Sequence, residues 1–327
     1  MSLRVGLSAV IVAAIDGLPH VLATRGGDED GLEGLPFGAF DPEGHRTFEI
    51  GLRDWVSAQT GFELGYVEQL YTFGDLGREL PTARLDSASP ADRVISVGYI
   101  ALTPEATEIG GAFDAVWRNW YRYFPWEDHR ADSAQAIISP LSDQLKKWAD
   151  SAGSPAASHD RWTRASIAFG LDGKPWIEER VLERYELLYE ADIVPEAWRD
   201  RAETSPCSLP ERVTGTPMRS DHRRILATGM SRLRGKIKYR PVVFELMQDM
   251  FTLSALQETV EGILGTKLHK QNFRRLVANR GLVEETGEYA TDTGGRPAKL
   301  VRFRREVTLE RPAPGVRFGA TRRASYP

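Results

Sequence analysis

Two stretches of the 327-residue sequence carry residue types in a spacing that could do chemistry. The first runs from Leu35 to Phe62, LPFGAFDPEGHRTFEIGLRDWVSAQTGF: a glycine-containing loop, an amphipathic helical pattern and a Thr60-Gly61 turn, with Glu43, Glu49 and Asp54 among its acids. Carboxylates gathered on one such helix can hold Mg²⁺ against a diphosphate, because a hard cation takes oxygen ligands. The second is HKQNFRRLVANRG, which puts Phe273, Leu276 and Val277 on one side of a helix and Lys270, Gln271, Arg274 and Arg275 on the other, with Asn272 beside them. Guanidinium and amide groups on one helix face can read base edges and grip phosphates in a DNA groove.

The elements that must position these residues fall into three groups. Over the first hundred residues, LSAVIVAAI and HVLATR flank Asp16-Gly17, a hairpin signal, and VEQLYTFGD and RVISVGYIAL supply further strands around the one helix. From Pro104 to Ser220 helical patterns dominate and seven of the eight tryptophans occur: Trp117, Trp120, Trp126, Trp148, Trp162, Trp176 and Trp198. The aromatic run WRNWYRYFPWEDHR could stack on bases, but aromatics at this density are more often core. Ile177, Val181, Tyr185 and Leu188 form one apolar stripe, and 151–160, SAGSPAASHD, reads as a flexible linker.

From Asp221 a new unit is expected. DHRRILATGMSRLRGKI opens on an Asp N-cap and carries Leu226, Met230, Leu233 and Ile237 on one face. FTLSALQETVEGILG follows, with a Ser254/Gln257 capping pair and Gly265 as C-cap, then the basic helix. GLVEETGEYATDTGGRPAKLVRF reads as strand, turn, strand, with Arg296 and Lys299 near the tip. Helix, turn, basic helix and β-wing make a winged helix-turn-helix.

Composition fits two domains. Hydrophobic content of 41% with 27% charged residues is ordinary for a globular protein, and VGLSAVIVAAI is too short for a membrane span, so it reads as a core strand. Cys207 is the single cysteine, which fits a reducing cytoplasm, and the six scattered histidines form no metal-ligand pattern. The net charge of -4 hides an asymmetry: residues 221–311 hold 18 Lys and Arg against 11 Asp and Glu, while residues 1–220 hold 21 against 35. A basic third on an acidic body points to a polyanion partner.

The stretch from Leu35 resembles a Nudix box, G-x5-E-x7-R-E-U-x-E-E-x-G-U. Anchored on Arg53-Asp54, it puts His45 at the leading acid and Ser57-Ala58 at the metal-binding pair; anchored on Thr60-Gly61, it puts Arg46, Trp55 and Ala58-Gln59 there. The glutamate pair is missing either way. Together with VEQLYTFGDLGRE, RVISVGYIAL and the segment from Asp221 to Phe303, the stretch is similar to the Nudix-related transcriptional regulators of NAD metabolism. About half to two-thirds of the chain carries the likeness, and the long Trp-rich segment departs from it. The resemblance implies an α+β chain: an N-terminal Nudix-like α/β/α domain at 1–220 with a helical extension at 104–220, a winged-helix DNA-binding domain at 221–311, and a flexible tail at 312–327.

The implied function is a transcriptional repressor, cytoplasmic and away from membranes, controlling NAD-biosynthesis genes from double-stranded operator DNA. Its Nudix domain would be catalytically silent, free of metal and of any required cofactor, and would sense ADP-ribose, NAD or ATP. Losing hydrolysis while keeping the pocket suits a sensor, since an effector destroyed on binding reports poorly. Lys270, Gln271, Asn272, Arg274, Arg275, Arg296 and Lys299 are the expected DNA contacts. Without metal, a diphosphate needs arginine, so Arg25, Arg53, Arg78 and Arg93 are expected around it, with Phe37, Phe73 or Tyr99 stacking on adenine. Two-fold operators call for a homodimer, joined through the Trp-rich segment or the helix from Asp221. The competing reading is a nucleotide diphosphate hydrolase with residual activity through Asp54, Glu43 or Glu49.

Overall fold

Asp16 and Gly17 both take positive φ, 50° and 71°, the two-residue turn whose twist matches that of the strands it joins. They link β1 (Leu3–Ile15) to β2 (Leu18–Arg25), paired from Val12↔Val21 to Ile15↔Leu18. The computed structural model describes residues 3–25, 31–61, 63–75, 93–104, 106, 114–201, 203, 208–290 and 297–307. Arg78, Arg296 and the tail lie outside these, as does the side chain of Arg93.

Seven strands form the main sheet. β3 (Glu33–Gly34), β2, β1, β6 (Arg93–Thr103) and β5 (Tyr66–Phe73) lie in that order, with β4 (Phe37–Ala39) added to β1 and β7 (Asp114–Asn119) to β2. β7 falls in the segment expected to be helical, yet it continues the sheet through Leu22↔Trp117. β1 and β6 run parallel from Leu3↔Arg93 to Ala13↔Thr103. Their side chains alternate between two packed faces. Leu7, Ala9, Ile11, Val97 and Tyr99 pack with Leu52 and Val56 of α1 (Phe48–Thr60). Val10, Val12, Ile100 and Leu102 pack on the other side.

That second face is covered by α7 (His222–Ile237), whose Gly229 lies against Val10 and whose Ile225 lies against Gly98. The sequence pattern puts this helix at the head of the DNA-binding unit; in the structure it closes the α/β/α sandwich. Leu226, Met230, Leu233 and Ile237 are buried as the stripe predicts, but that stripe meets the sheet side of the molecule. Asp221 precedes the helix without a side-chain capping bond. Most cations of α7 also turn inward: Arg223 pairs with Glu196, Arg224 with Glu186, Lys236 with Glu68 and Arg234 with Glu127, while exposed Arg232 reaches Glu68 from the surface. Part of the basic surplus of 221–311 is therefore neutralised inside the protein.

In the chain between the sheet and α7 come α2 (Ala134–Asp150), α3 (Pro155–Phe169), α4 (Val181–Glu190), α5 (Pro195–Arg199) and α6 (Glu211–Thr214). The expected linker at 151–160 is the start of α3: Ser154 accepts the Ala157 N–H at 3.2 Å and Pro155 takes the first helical position. Val181, Tyr185 and Leu188 are buried on α4, while Ile177 precedes it. Trp120 and Trp126 lie in two 3₁₀ turns, Trp120–Arg122 and Pro125–Glu127, at 0% and 1% exposure. They are core, and closed to base stacking.

One carboxylate organises this core. Glu127 receives Arg184 through Nε (2.5 Å) and Nη2 (2.8 Å) and Arg234 through Nη1, and all three side chains are fully buried. The remaining guanidinium protons go to carbonyls of Ala168, Ile177, Glu178 and Ile263 and, from Arg234 Nη2, to the Glu127 carbonyl (3.4 Å) and the Tyr121 hydroxyl (3.5 Å). Burial pushes the Glu127 carboxyl up, but the two arginine charges outweigh it and hold it below the usual carboxylate range.

After a 3₁₀ turn at Val242–Leu246 the winged helix follows: β8 (Phe251–Thr252), α8 (Leu253–Leu264), α9 (Lys270–Arg280), β9 (Val283–Ala290) and β10 (Ala298–Phe303), with strand order β8-β10-β9. Thr252, and not Ser254, caps α8 by accepting from Ala255 at 3.1 Å; Gln257 donates instead to Glu261 and to Leu268 O. Gly265 ends the helix in the left-handed region, as expected.

Removing the shared carboxylate leaves two buried guanidiniums without their anion. Glu127→Gln is expected to lower stability by about 3–5 kcal/mol near neutral pH, read by chemical denaturation. A carboxyl whose pKa is depressed on folding stabilises above the ordinary glutamate range and loses that contribution as pH falls through the folded pKa. The gap between wild type and variant should therefore shrink on acidification.

Candidate nucleic-acid interface and the altered box

The recognition helix has the composition of a groove reader. On α9, Phe273 and Val277 are buried and anchor it, while Lys270, Gln271, Asn272, Arg274 and Arg275 are all exposed. Among the described residues none of the three cations has an ion-pair partner; Arg275 donates only to Asn272 Oδ1, at 3.2 Å. No acid stands in the first turn, so the positive end of the helix dipole adds to the side-chain charge. The wing is different. Lys299 spans both carboxylate oxygens of Glu285 at 2.9 Å, and Arg302 pairs with Glu284, so the described wing strands present compensated charge.

The box helix α1 has been refitted. Thr47 caps it, accepting from Ile50 at 3.2 Å, and Gly61 closes it in the left-handed region. Gln59, at a metal-ligand position under one alignment, clips β4: its Oε1 accepts the Phe37 N–H (3.3 Å) and its Nε2 donates to the Phe37 carbonyl (2.5 Å). A carboxylate cannot do both, because it lacks the donor. Trp55 lies flat against Gly38, where a β-carbon would overlap the indole, and donates to Ala39 O at 2.6 Å. The surviving acids are engaged or apart: Glu49 pairs with Arg53 (2.8 Å), Asp54 stands 3.8 Å from His45, and Glu43 is exposed. Among the described residues no three His, Cys, Asp or Glu side chains form a metal-binding group.

The described ones among the expected effector residues do not assemble into one cleft. Phe37, Phe73 and Tyr99 are only 4–6% exposed. Phe37 packs edge-on against His222, Phe73 lies under Arg224, and Tyr99 faces α1 from the opposite side of the sheet. A base cannot stack on buried rings without displacing those partners. Arg53 staples the end of α1, donating to Gly65 O at 3.1 Å and to Leu64 O. Arg25 belongs to a different cluster at the sheet edge. There Glu33 accepts from Arg118 (2.6 Å), Arg25 (3.3 Å) and the Tyr123 hydroxyl (2.7 Å), and Arg25 also reaches Asp114. Burial raises the Glu33 carboxyl, but Arg118 and Tyr123 outweigh it and leave it lowered. Sequence reasoning misses Arg118 because its segment reads as helical, whereas in the fold it lies on β7.

Known proteins share both halves of this arrangement. Residues 243–303 match the family described as the NrtR DNA-binding winged helix domain. The "ADPR responsive transcriptional repressor NtrR" of Acinetobacter baylyi is 42% identical over 83 residues, 25% of this chain, so the match spans about a third of that relative's length. In fold, NrtR of Shewanella oneidensis complexed with a 27mer DNA superposes with a TM-score of 0.51 at 19% identity, covering 93% of this chain and 95% of that one. A MutT/nudix family protein from Enterococcus faecalis gives 0.53 at 15% identity, covering 93% and 87%.

The amide clip makes the box testable. Gln59→Glu should cost about 1–3 kcal/mol, since the Phe37 carbonyl is deprived of its donor and a carboxylate is buried beside it. Scanning calorimetry with Mg²⁺ is expected to show no metal-dependent rise in melting temperature; a rise of several degrees would mean that one carboxylate restores a metal site.

The family match begins at 243, after α7 ends at Ile237. Residues 243–303 thus match the NrtR DNA-binding winged-helix family, and in fold the chain is similar to NrtR of Shewanella oneidensis, a Nudix fold followed by a winged helix.

Proposed function

We propose that this chain is a DNA-binding transcriptional repressor whose Nudix-like domain senses ADP-ribose, or failing that NAD or ATP, and does not hydrolyse it. The observation that carries the reading is the exposed face of α9, where Lys270, Arg274 and Arg275 stand without ion-pair partners among the described residues, on a domain of DNA-binding type. Free cations of this kind release counterions from DNA, and Gln271 and Asn272 supply the amides suited to adenine edges. The name of the Acinetobacter relative supports ADP-ribose as effector and repression as outcome. NAD-biosynthesis promoters are the targets that follow from the resemblance, and a homodimer follows from the two-fold symmetry of an operator. Gln59 and Trp55, occupying the box, favour a sensor over a hydrolase.

Arg274→Ala and Arg275→Ala should each weaken binding to the native promoter by about 1–3 kcal/mol per base no longer read, measured by anisotropy titration at fixed salt. Two chains per operator are expected by light scattering. Unchanged affinity in both variants would move the interface elsewhere.

Calorimetric titration should find ADP-ribose binding that persists in EDTA, with no nucleotide hydrolysed after prolonged incubation with Mg²⁺. A strict metal requirement, or product release, would return the chain to the hydrolases.

A further inference from the structure

The last turn of a helix leaves carbonyls without intrahelical partners. On α8 the Gly265 N–H closes onto the Glu261 carbonyl, while two later carbonyls and that of the C-cap are satisfied from outside the winged helix. The carbonyl of Gly262 accepts the Tyr121 hydroxyl (2.5 Å), that of Ile263 accepts Arg234 Nε (2.8 Å), and that of Gly265 accepts the backbone N–H of His129 (2.7 Å). The approach is backbone to backbone on both sides. A β-carbon on Gly262 would overlap the carbonyl of Gly17 in the β1–β2 turn, and one on Gly265 would overlap the carbonyl of Glu127.

Charge favours the same seat. Glu127 serves two arginines, so the buried group of Glu127, Arg184 and Arg234 carries one positive charge in excess. The negative end of the α8 dipole faces that excess through Ile263. Arg234 lies on α7, Tyr121 and Glu127 in the two 3₁₀ turns around Trp120 and Trp126, His129 just beyond them and Arg184 on α4, all within the Nudix-like half. Tyr123, from the same run, donates to Glu33 at the sheet edge, and its carbonyl accepts from Arg223. One short segment thus touches both the sheet and the end of α8.

We propose that Arg234 and Tyr121 are positioning residues for DNA recognition: they set the angle at which α8, and α9 five residues beyond it, leave the Nudix-like half, and effector occupancy changes operator affinity through them. This rests on the sensor–repressor reading above. Because helix ends seated on hydrogen bonds reorient as units, loosening these donors should uncouple the two ligands more than it weakens either alone.

The test uses the full chain with Tyr121→Phe, which deletes one hydroxyl, and Arg234→Lys, which keeps the charge but removes the fork. Operator dissociation constants are measured with and without saturating ADP-ribose, and amide hydrogen exchange is followed in α8, α9 and β1. The ratio of the two constants is expected to fall about five-fold toward one in both variants, with ADP-ribose affinity retained, and α8 and α9 amides should exchange faster while β1 stays protected. An unchanged ratio in folded variants overturns the proposal. If Arg234→Lys does not fold, Tyr121→Phe decides alone. Should wild type itself show a ratio of one, the sensor reading fails, and hydrogen exchange still judges the positioning: unaltered α8 protection in Tyr121→Phe overturns it.

Discussion

Everything around residues 120–234 depends on satisfying two guanidiniums with one carboxylate in a place shut off from solvent. Arg184 and Arg234 come from α4 and α7, Glu127 from the turn between sheet and helices, and none of the three side chains is exposed. Such a group is stable only if every proton on the guanidiniums finds an oxygen. The structure meets that demand with the carbonyls of Ala168, Ile177, Glu178, Ile263 and Glu127 itself and with the Tyr121 hydroxyl, and so must hold α3, the loop before α4 and α8 where they are. The Trp176 indole lies 3.8 Å from the Arg184 guanidinium and adds its electron-rich face to the same charge. A second buried pair, Arg223 with Glu196, repeats the pattern on the preceding turns of α7, with Tyr123 O and Thr214 O accepting the spare protons.

The same demand explains why α7 belongs to the Nudix-like half. Its basic residues count toward the surplus that points to a polyanion in the sequence, but each inward arginine meets an acid from the acidic two-thirds of the chain. The asymmetry of charge along the sequence is partly an internal complementarity between a basic helix and the acidic elements it packs on. What remains for a polyanion is concentrated on α9, where Phe273 and Val277 supply the packing and the cations have no ion-pair partner among the described residues.

How much of this is legible in the sequence follows from which patterns have a single physical solution. Asp16-Gly17 between two apolar runs has one, a tight hairpin, and so does a helix ending on Gly265. The buried stripe of α7 has several: Leu226, Met230, Leu233 and Ile237 demand an apolar partner but do not say whether it is a sheet or another helix. The run at 151–160 is polar and rich in Ser and Ala, which suits a linker, yet Ser154-Pro155 is also a helix start, and only tertiary packing chooses. Phe37, Phe73 and Tyr99 read as accessible in the sequence because arginines stand near them; in the fold, the described ones among those arginines have protein partners. The clip made by Gln59 has no sequence signal beyond the absence of glutamate, since an amide that bonds backbone is indistinguishable in sequence from one that faces water.

The pairing of Trp55 with Gly38 carries an evolutionary implication. On this box helix an indole packs over Gly38 and an amide fixes the neighbouring strand through the backbone of Phe37. A single step back toward acid at 59 strands a backbone carbonyl, and a single step from tryptophan to a smaller residue opens a void over Gly38, so each first reversal lowers stability before it restores any ligand. On the sensor reading proposed above, such packing gives descendants a barrier against recovering metal chemistry, and variation is channelled into what the fold can recognise.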